Sequence, residues 1–205
     1  MTRHEDPQAR RSQIARAVWS LTAHSGLEAA TLRSVAAEAG VSMGLVQHHF
    51  ASKEQMVLYA CEHLVELAEE GMHRLLADTA DPGSPRSVIR AVAVQTLPLT
   101  EQERMGAGVW LAFLSRAVRD ADVATFIRGA WDGTHTLLTE QIQTAQVRGE
   151  LVADVDPEAE STALLSTVDG LVSHLLVGHY TPDQALATVD AHIDRLFRAP
   201  ETRGS

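Results

Sequence analysis

The chain has 205 residues, 45% of them hydrophobic and 21% charged, a composition that buries a core in one or two domains and excludes disorder away from the ends. No run approaches the roughly 18 apolar residues of a membrane span, no apolar segment follows a basic one at the start, and the single cysteine, Cys61, supports neither an internal disulfide nor a zinc finger, so a cytoplasmic protein without a membrane partner is expected. The formal charge of −10 is uneven: residues 1–55 carry six Lys/Arg and five Asp/Glu, the remainder 11 and 22, so a polyanion-binding surface fits only the first quarter.

Prolines stand at positions 7, 82, 85, 98, 157, 182 and 200, and the stretches between them repeat apolar residues three and four apart. The pattern predicts an all-α protein of about nine helices, with no run that reads as a strand. Ile14, Ala17, Val18 and Leu21 lie on one helical face, and Gly26 follows as a terminator, so the first helix is expected over Pro7 to Ser25. Thr31 precedes a short helix ending at Gly40, and Ser42 caps a third that runs to about His49. Ser52, with Gln55 at the third position after it, opens a long fourth helix in a capping-box arrangement, to about Leu76. Further helices are expected at about 86–97, 101–119, 122–148, 157–178 and 183–198. The pairs Asp132-Gly133 and Asp169-Gly170 resemble hairpin turns but lie inside helical patterns, and they are read as helical.

The segment from Thr31 to Phe50 reads as a short helix, a tight turn at Gly40, and a second short helix. Two helices so joined cross steeply, and the second can lie in the DNA major groove while the first braces it. Val35, Ala36, Ala39, Val41, Leu45 and Val46 would pack inward, leaving Ser42, Met43, Gly44, Gln47 and His48 outward. Glutamine can pair with adenine through two hydrogen bonds, and small residues admit close backbone approach. Together with the Ile14 to Gly26 helix, Gly40-Val41-Ser42, His49-Phe50 and Ser52-Lys53-Glu54, this segment resembles the TetR family of transcriptional regulators over about residues 10 to 60. Trp110 within a helix, the Arg148-Gly149-Glu150-Leu151 turn and Asp169-Gly170-Leu171 are similar to BetI-like ligand domains of that family.

The resemblance implies a three-helix DNA-binding domain over residues 1–51 and a ligand-binding and dimerisation domain over 52–205. It implies that Thr31 contacts phosphate, that Arg33 reaches a phosphate or a base edge, and that Met43, Gly44 and Gln47 face bases. Ser42, His48, His49 and Lys53 would hold phosphate oxygens. Gln47 departs from the family pattern, in which tyrosine is commoner, and this favours base reading over phosphate anchoring. Arg10 and Arg11 read either as a phosphate or minor-groove arm or as a frayed terminus.

In the acidic part, Met105, Trp110, Phe113, Phe126 and Trp131 fall on the middle helices, where such residues are ordinarily core. The functional alternative takes Met105, Trp110, Phe113, Trp131 and Asp169 as ligand-binding, with His135 or His174 as further polar groups. The helices at about 157–178 and 183–198 carry Leu164, Leu165, Val168, Leu171, Val172, Leu175, Leu176, Leu186, Val189, Ile193 and Leu196, more apolar surface than one packing face consumes. They read either as helices buried within one chain or, as the resemblance implies, as a two-fold dimer interface that sets two recognition helices on a palindromic operator. His48 and His49 point about 100° apart and lack further ligands, Glu70-x-x-His73 has no second copy, and Cys61 is read as a small core residue, so no metal, cofactor or redox centre is expected. No catalytic triad, phosphate loop or dinucleotide fingerprint emerges. The expectation is a ligand-responsive repressor released by a small-molecule inducer. The alternatives are a ligand-independent activator or architectural protein, and a helical enzyme or carrier.

Overall fold

The structure is a computed structural model that describes residues 7–152 and 155–197. Among these residues nine α-helices follow in order: α1 (Pro7–Ser25), α2 (Leu32–Glu38), α3 (Met43–His49), α4 (Lys53–Ala77), α5 (Pro85–Thr96), α6 (Glu101–Ala117), α7 (Ala121–Val147), α8 (Pro157–Leu176) and α9 (Pro182–Leu196). The all-helical expectation holds, and both Asp-Gly pairs lie inside helices, α7 and α8. Periodicity did not announce the 3₁₀ turn Leu27–Ala29 between α1 and α2. Position 198, the expected end of the last helix, lies outside the described residues. None of the described helices is long and apolar enough to cross a membrane.

Helix starts follow local chemistry. Ser84, Asp156 and Thr181 cap α5, α8 and α9, each with proline in the first turn where its missing N–H costs nothing. Thr181 and Gln184 form a reciprocal capping box. At α4 the expected box is shifted: Ser52 Oγ accepts from the Gln55 N–H at 3.2 Å, but Gln55 Oε1 accepts from Ala51 rather than from the cap's own N–H.

The described residues form two compact units, 7–67 with 104–129, and 68–103 with 130–152 and 155–197, so α4, α6 and α7 each contribute to both. These units do not follow a division at 51 and 52. The core of the first gathers Ile14 and Val18 of α1, Val35 of α2, Val46 of α3, Met56 and Cys61 of α4, and also Val109 and Phe113 of α6 and Val123 and Ile127 of α7. Burying these side chains contributes about 1.5–3 kcal/mol each, before the entropy of ordering them is subtracted. Trp19 of α1 donates to the Ala60 carbonyl of α4 at 2.9 Å, which fixes the register between the two helices.

The second unit packs Ile89 and Leu97 against Leu138 and Ile142 of α7 and the inner faces of α8 and α9. Of the two readings of α8 and α9, burial within one chain accounts for most of their apolar residues. Leu164, Val168, Leu171, Val172, Leu175, Val189, Ile193 and Leu196 are buried in this chain's own fold, and Leu165, Leu176 and Leu186 are half-buried. Outside this core, Arg90 grips Asp190 through two bonds of 2.7 and 3.2 Å, and Arg86 pairs with Asp194, tying α5 to α9.

Candidate nucleic-acid interface

The geometry of α2 and α3 is set by the turn between them. Gly40 sits at φ +66°, a left-handed conformation that strains any residue with a Cβ. From there the Gly40 N–H donates to the Ala37 carbonyl at 3.1 Å and the Val41 N–H to Ala36 at 2.9 Å, the paired bonds of a Schellman ending. Gln13 of α1 donates to the Ala39 carbonyl at 2.8 Å, and Ser20 Oγ donates to Glu38 at 2.6 Å, so α1 holds the end of α2. Ser42 then caps α3, accepting from the Leu45 N–H at 3.2 Å. Val35, Ala36, Val46 and Phe50 are buried beneath the turn, while Ala39, Val41 and Leu45 are half-buried.

Above this support, Ser42, Met43, Gly44, Gln47 and His48 all face solvent on α3. Met43 is 44% exposed, and such apolar exposure leaves a side chain available to a base methyl group. Thr31 and Arg33 are exposed at the start of α2. The Thr31 hydroxyl is engaged in a capping box with Ser34, accepting from its N–H at 3.1 Å, while Ser34 Oγ donates to the Ala29 carbonyl at 2.6 Å. His49 is half-buried, edge-on to His48 and tilted against Phe50. Burial, reinforced by His48, Arg11 and Arg10, holds its imidazole below the ordinary histidine range. Lys53 Nζ lies 2.9 Å from Glu28 Oε2 and 3.3 Å from the Glu28 carbonyl, so its charge is already partnered.

Arg11 is neither an arm nor part of a frayed end. Its guanidinium stacks 4.0 Å from the Tyr59 centroid and 5.2 Å from that of Phe50. Tyr59 stacks in turn on His63, and His63 on Trp19, so the cation closes an aromatic column between α1 and α4. Sequence spacing showed the basic pair but not the rings brought beneath it. Arg10 Nη1 lies 2.5 Å from Gln13 Oε1.

The five ligand candidates are divided between the units: Met105, Trp110 and Phe113 lie in the first, Trp131 and Asp169 in the second. Phe113 is fully buried in core packing with Val109, Val123 and Ile127, and Trp110 packs half-buried against that core. Met105, Trp131 and Asp169 are exposed in the chain. His135 Nε2 lies 3.1 Å from Thr162 Oγ1 and so joins α7 to α8, whereas His174 packs on His179 and Tyr180 at the end of α8. Glu70 and His73 are exposed on α4. Cys61 is fully buried, and burial, followed by the charge of Glu62, pushes its thiol up to about 12, which makes it an inert core residue.

Two family models match the chain. The one for bacterial regulatory proteins of the tetR family covers residues 14–60, and the one for the C-terminal part of BetI-type transcriptional repressors covers 85–198. The chain is 26% identical over 178 residues to the HTH-type transcriptional regulator PksA of Bacillus subtilis (strain 168), spanning 86% of this chain and 83% of that protein. A solved transcriptional regulator from Rhodococcus sp. Rha1 is 30% identical with a TM-score of 0.77, over 93% of this chain and 99% of that one. A transcriptional regulator from Saccharomonospora viridis, solved in complex with choline, shares the fold at TM-score 0.82 and 23% identity, over 94% of this chain and 100% of that one. These models and relatives are regulators of transcription, not enzymes. The chain, with its helix-turn-helix and helical C-terminal part, belongs to the TetR family of bacterial regulatory proteins, with a C-terminal part of the BetI repressor type.

Proposed function

We propose that this protein is a ligand-responsive repressor of the cytoplasm that binds a palindromic operator as a homodimer and is released by a small molecule. Residues 1–51 read the DNA, and residues 52–205 bind the inducer and form the dimer. The observation that carries this reading is the outward face of α3, where Ser42, Met43, Gly44, Gln47 and His48 are exposed on a helix held by its turn, its cap and the α1 brace. Met43, Gly44 and Gln47 read base edges, Arg33 reaches a base edge or phosphate, and Thr31, Ser42, His48, His49 and Lys53 anchor phosphates.

Because α8 and α9 bury most of their large apolar residues in this chain's own core, the proposed dimer surface is their outer flanks. Thr162, Ala163, Ser166, Gly170 and Ser173 are exposed on α8, and Ala187, Thr188 and Ala191 on α9. Small side chains let two helices approach closely, and a two-fold dimer would offer two recognition helices, about one DNA turn or more apart, to the halves of a palindromic operator. Release requires the inducer to prefer the non-binding state by about 5.5 kcal/mol for a shift from 1:99 to 99:1, and DNA must weaken inducer binding by the same factor.

Selection of bound sequences from a random duplex pool, followed by a salt titration of the winner, tests this reading. A palindromic winner is expected. Absence of any enrichment over random DNA overturns it. Choline, held by the Saccharomonospora viridis neighbour, is the first compound to titrate against the winning duplex.

A further inference from the structure

We propose that Glu28 competes with operator phosphate for Lys53, and that Arg116 of α6 is the positioning residue that decides the contest by holding Glu28. The inference rests on the reading of Lys53 as a phosphate anchor given above. Four groups of alternating charge stand in line in the first compact unit. Lys53 Nζ donates to Glu28 Oε2 at 2.9 Å, Arg116 Nη1 lies 3.5 Å from the other oxygen, Glu28 Oε1, and Arg116 Nε donates to Asp120 Oδ2 at 2.9 Å. Asp120 is itself fixed at the start of α7, its Oδ1 accepting from the Asp122 and Val123 N–H groups at 3.2 and 3.3 Å. Exposure separates the moving part from the fixed parts. The Glu28 side chain is 79% exposed, against 27% for Lys53, 28% for Arg116 and 14% for Asp120.

The Lys53 ammonium has three N–H donors, of which Glu28 takes two, so operator phosphate must share Lys53 with Glu28 or displace its carboxylate. The displaced carboxylate would stand close to a phosphate and repel it unless a second cation keeps it paired. Arg116, already on the opposite oxygen and itself anchored by Asp120, supplies that cation. The Lys53–Glu28 bond thus acts as a brake on DNA binding, and Arg116 weakens the brake. Because Arg116 closes α6 and Asp120 opens α7, displacement of that corner reaches the phosphate anchor without passing through the recognition helix.

The test measures operator dissociation constants of the full-length protein for wild type, Glu28→Gln, Arg116→Gln, Arg116→Lys and the Glu28→Gln/Arg116→Gln pair, on the duplex won by selection. Glu28→Gln is expected to tighten binding about three- to tenfold, the scale of two exposed ion pairs per dimer. Arg116→Gln is expected to weaken it by a similar factor, Arg116→Lys to stay near wild type, and the double variant to match Glu28→Gln alone. A merely structural Arg116 would weaken binding equally in both backgrounds, and so would an Arg116 that touches DNA directly; either result overturns the inference. Unchanged or weaker binding by a folded Glu28→Gln also overturns it, and the Lys53→Ala background, in which Glu28→Gln must lose its effect, guards against an unrelated gain. Wild type that prefers no sequence would instead defeat the DNA-reading assignment itself, and the inference with it.

Discussion

Replacing Gly170 with alanine separates a helix flank that faces water from one that faces a second copy. Gly170 lies inside α8, is exposed, and an added Cβ would meet nothing within 4 Å. A helical glycine is about 0.8–1.0 kcal/mol less favourable than alanine, so in an isolated chain the substitution should stabilise by that amount. For a chain of this size the gain corresponds to a rise of about 2–4 °C in melting temperature. If the flank instead crosses its twin, the methyl enters the closest approach of two helices, where overpacking costs about 1–3 kcal/mol. The dimer dissociation constant would then rise by about one to two orders of magnitude. Gly133 in α7 is an internal control, since it too is exposed with nothing within 4 Å of an added Cβ. Sedimentation equilibrium and thermal melts at two protein concentrations read both quantities. The dimer proposal predicts that Gly133→Ala raises the melting temperature and leaves association unchanged, while Gly170→Ala weakens association. Equal thermal gains with unaltered association for both variants would refute pairing through α8.

Other perturbations have equally definite outcomes. Gln47→Ala should lose about 1–3 kcal/mol at one base position and relax specificity there, whereas Lys53→Ala should weaken all sequences alike and flatten the salt dependence; competition binding against single-base variants separates the two. Gly40→Ala forces a Cβ into φ +66° and should cost about 1–2 kcal/mol in a denaturant melt, with Gly40→Asn costing less. His49, depressed mainly by its burial, is neutral at neutral pH, and phosphate contact favours its charged form, so operator affinity should rise as pH falls from about 7.5 to 6 and lose that slope in His49→Gln. In the free protein the same depression works oppositely: the unfolded chain takes up the proton first, so this contribution to stability declines as pH falls below about 6.5. The Cys61 thiol, buried and pushed up to about 12, should react with a thiol reagent only at the rate of opening; rapid labelling of native protein would contradict its core assignment.

Much of this architecture was legible because helix boundaries are local events. Pro7, Ser42, Pro157 and Pro182 mark helix starts by chemistry that acts over three or four residues, and α1 begins and ends where Pro7 and Ser25 indicated. Asp132-Gly133 and Asp169-Gly170 show tertiary context overriding turn propensity, since each pair sits within a long amphipathic run. Partners distant in sequence were not legible. Arg11 gave no sign of Tyr59 beneath it, and Lys53 gave none of Glu28, 25 residues away, or of Arg116, 88 residues from Glu28. Apolar counting on α8 and α9 left burial within one chain and pairing between chains both open, because it carries no information about how many neighbours one chain itself supplies. Leu171 and Val172 are adjacent on α8 yet both buried, so packing covers more of that helix than a single stripe.

The disposition of cations determines how such a reader can bind DNA. The first quarter has a net charge of only +1, and the fold commits several of its positive groups internally. Arg11 is stacked on Tyr59, Arg10 is bonded to Gln13, and Lys53 is held by Glu28, while Arg16 and Arg33 stand exposed. Each phosphate neutralised adds about −0.9 to the salt slope, so few available cations among the described residues mean a shallow slope and weak attachment to random DNA. In the proposed dimer, affinity then comes from neutral donors on α3 and from two subunits bound at once, the second at high effective concentration. A dimer built in this way would lose its operator when the spacing of its two halves changed, because neither half would hold the DNA by charge alone. Under the proposed function, weak electrostatic attachment in each subunit is what would make release by a change in the dimer physically effective.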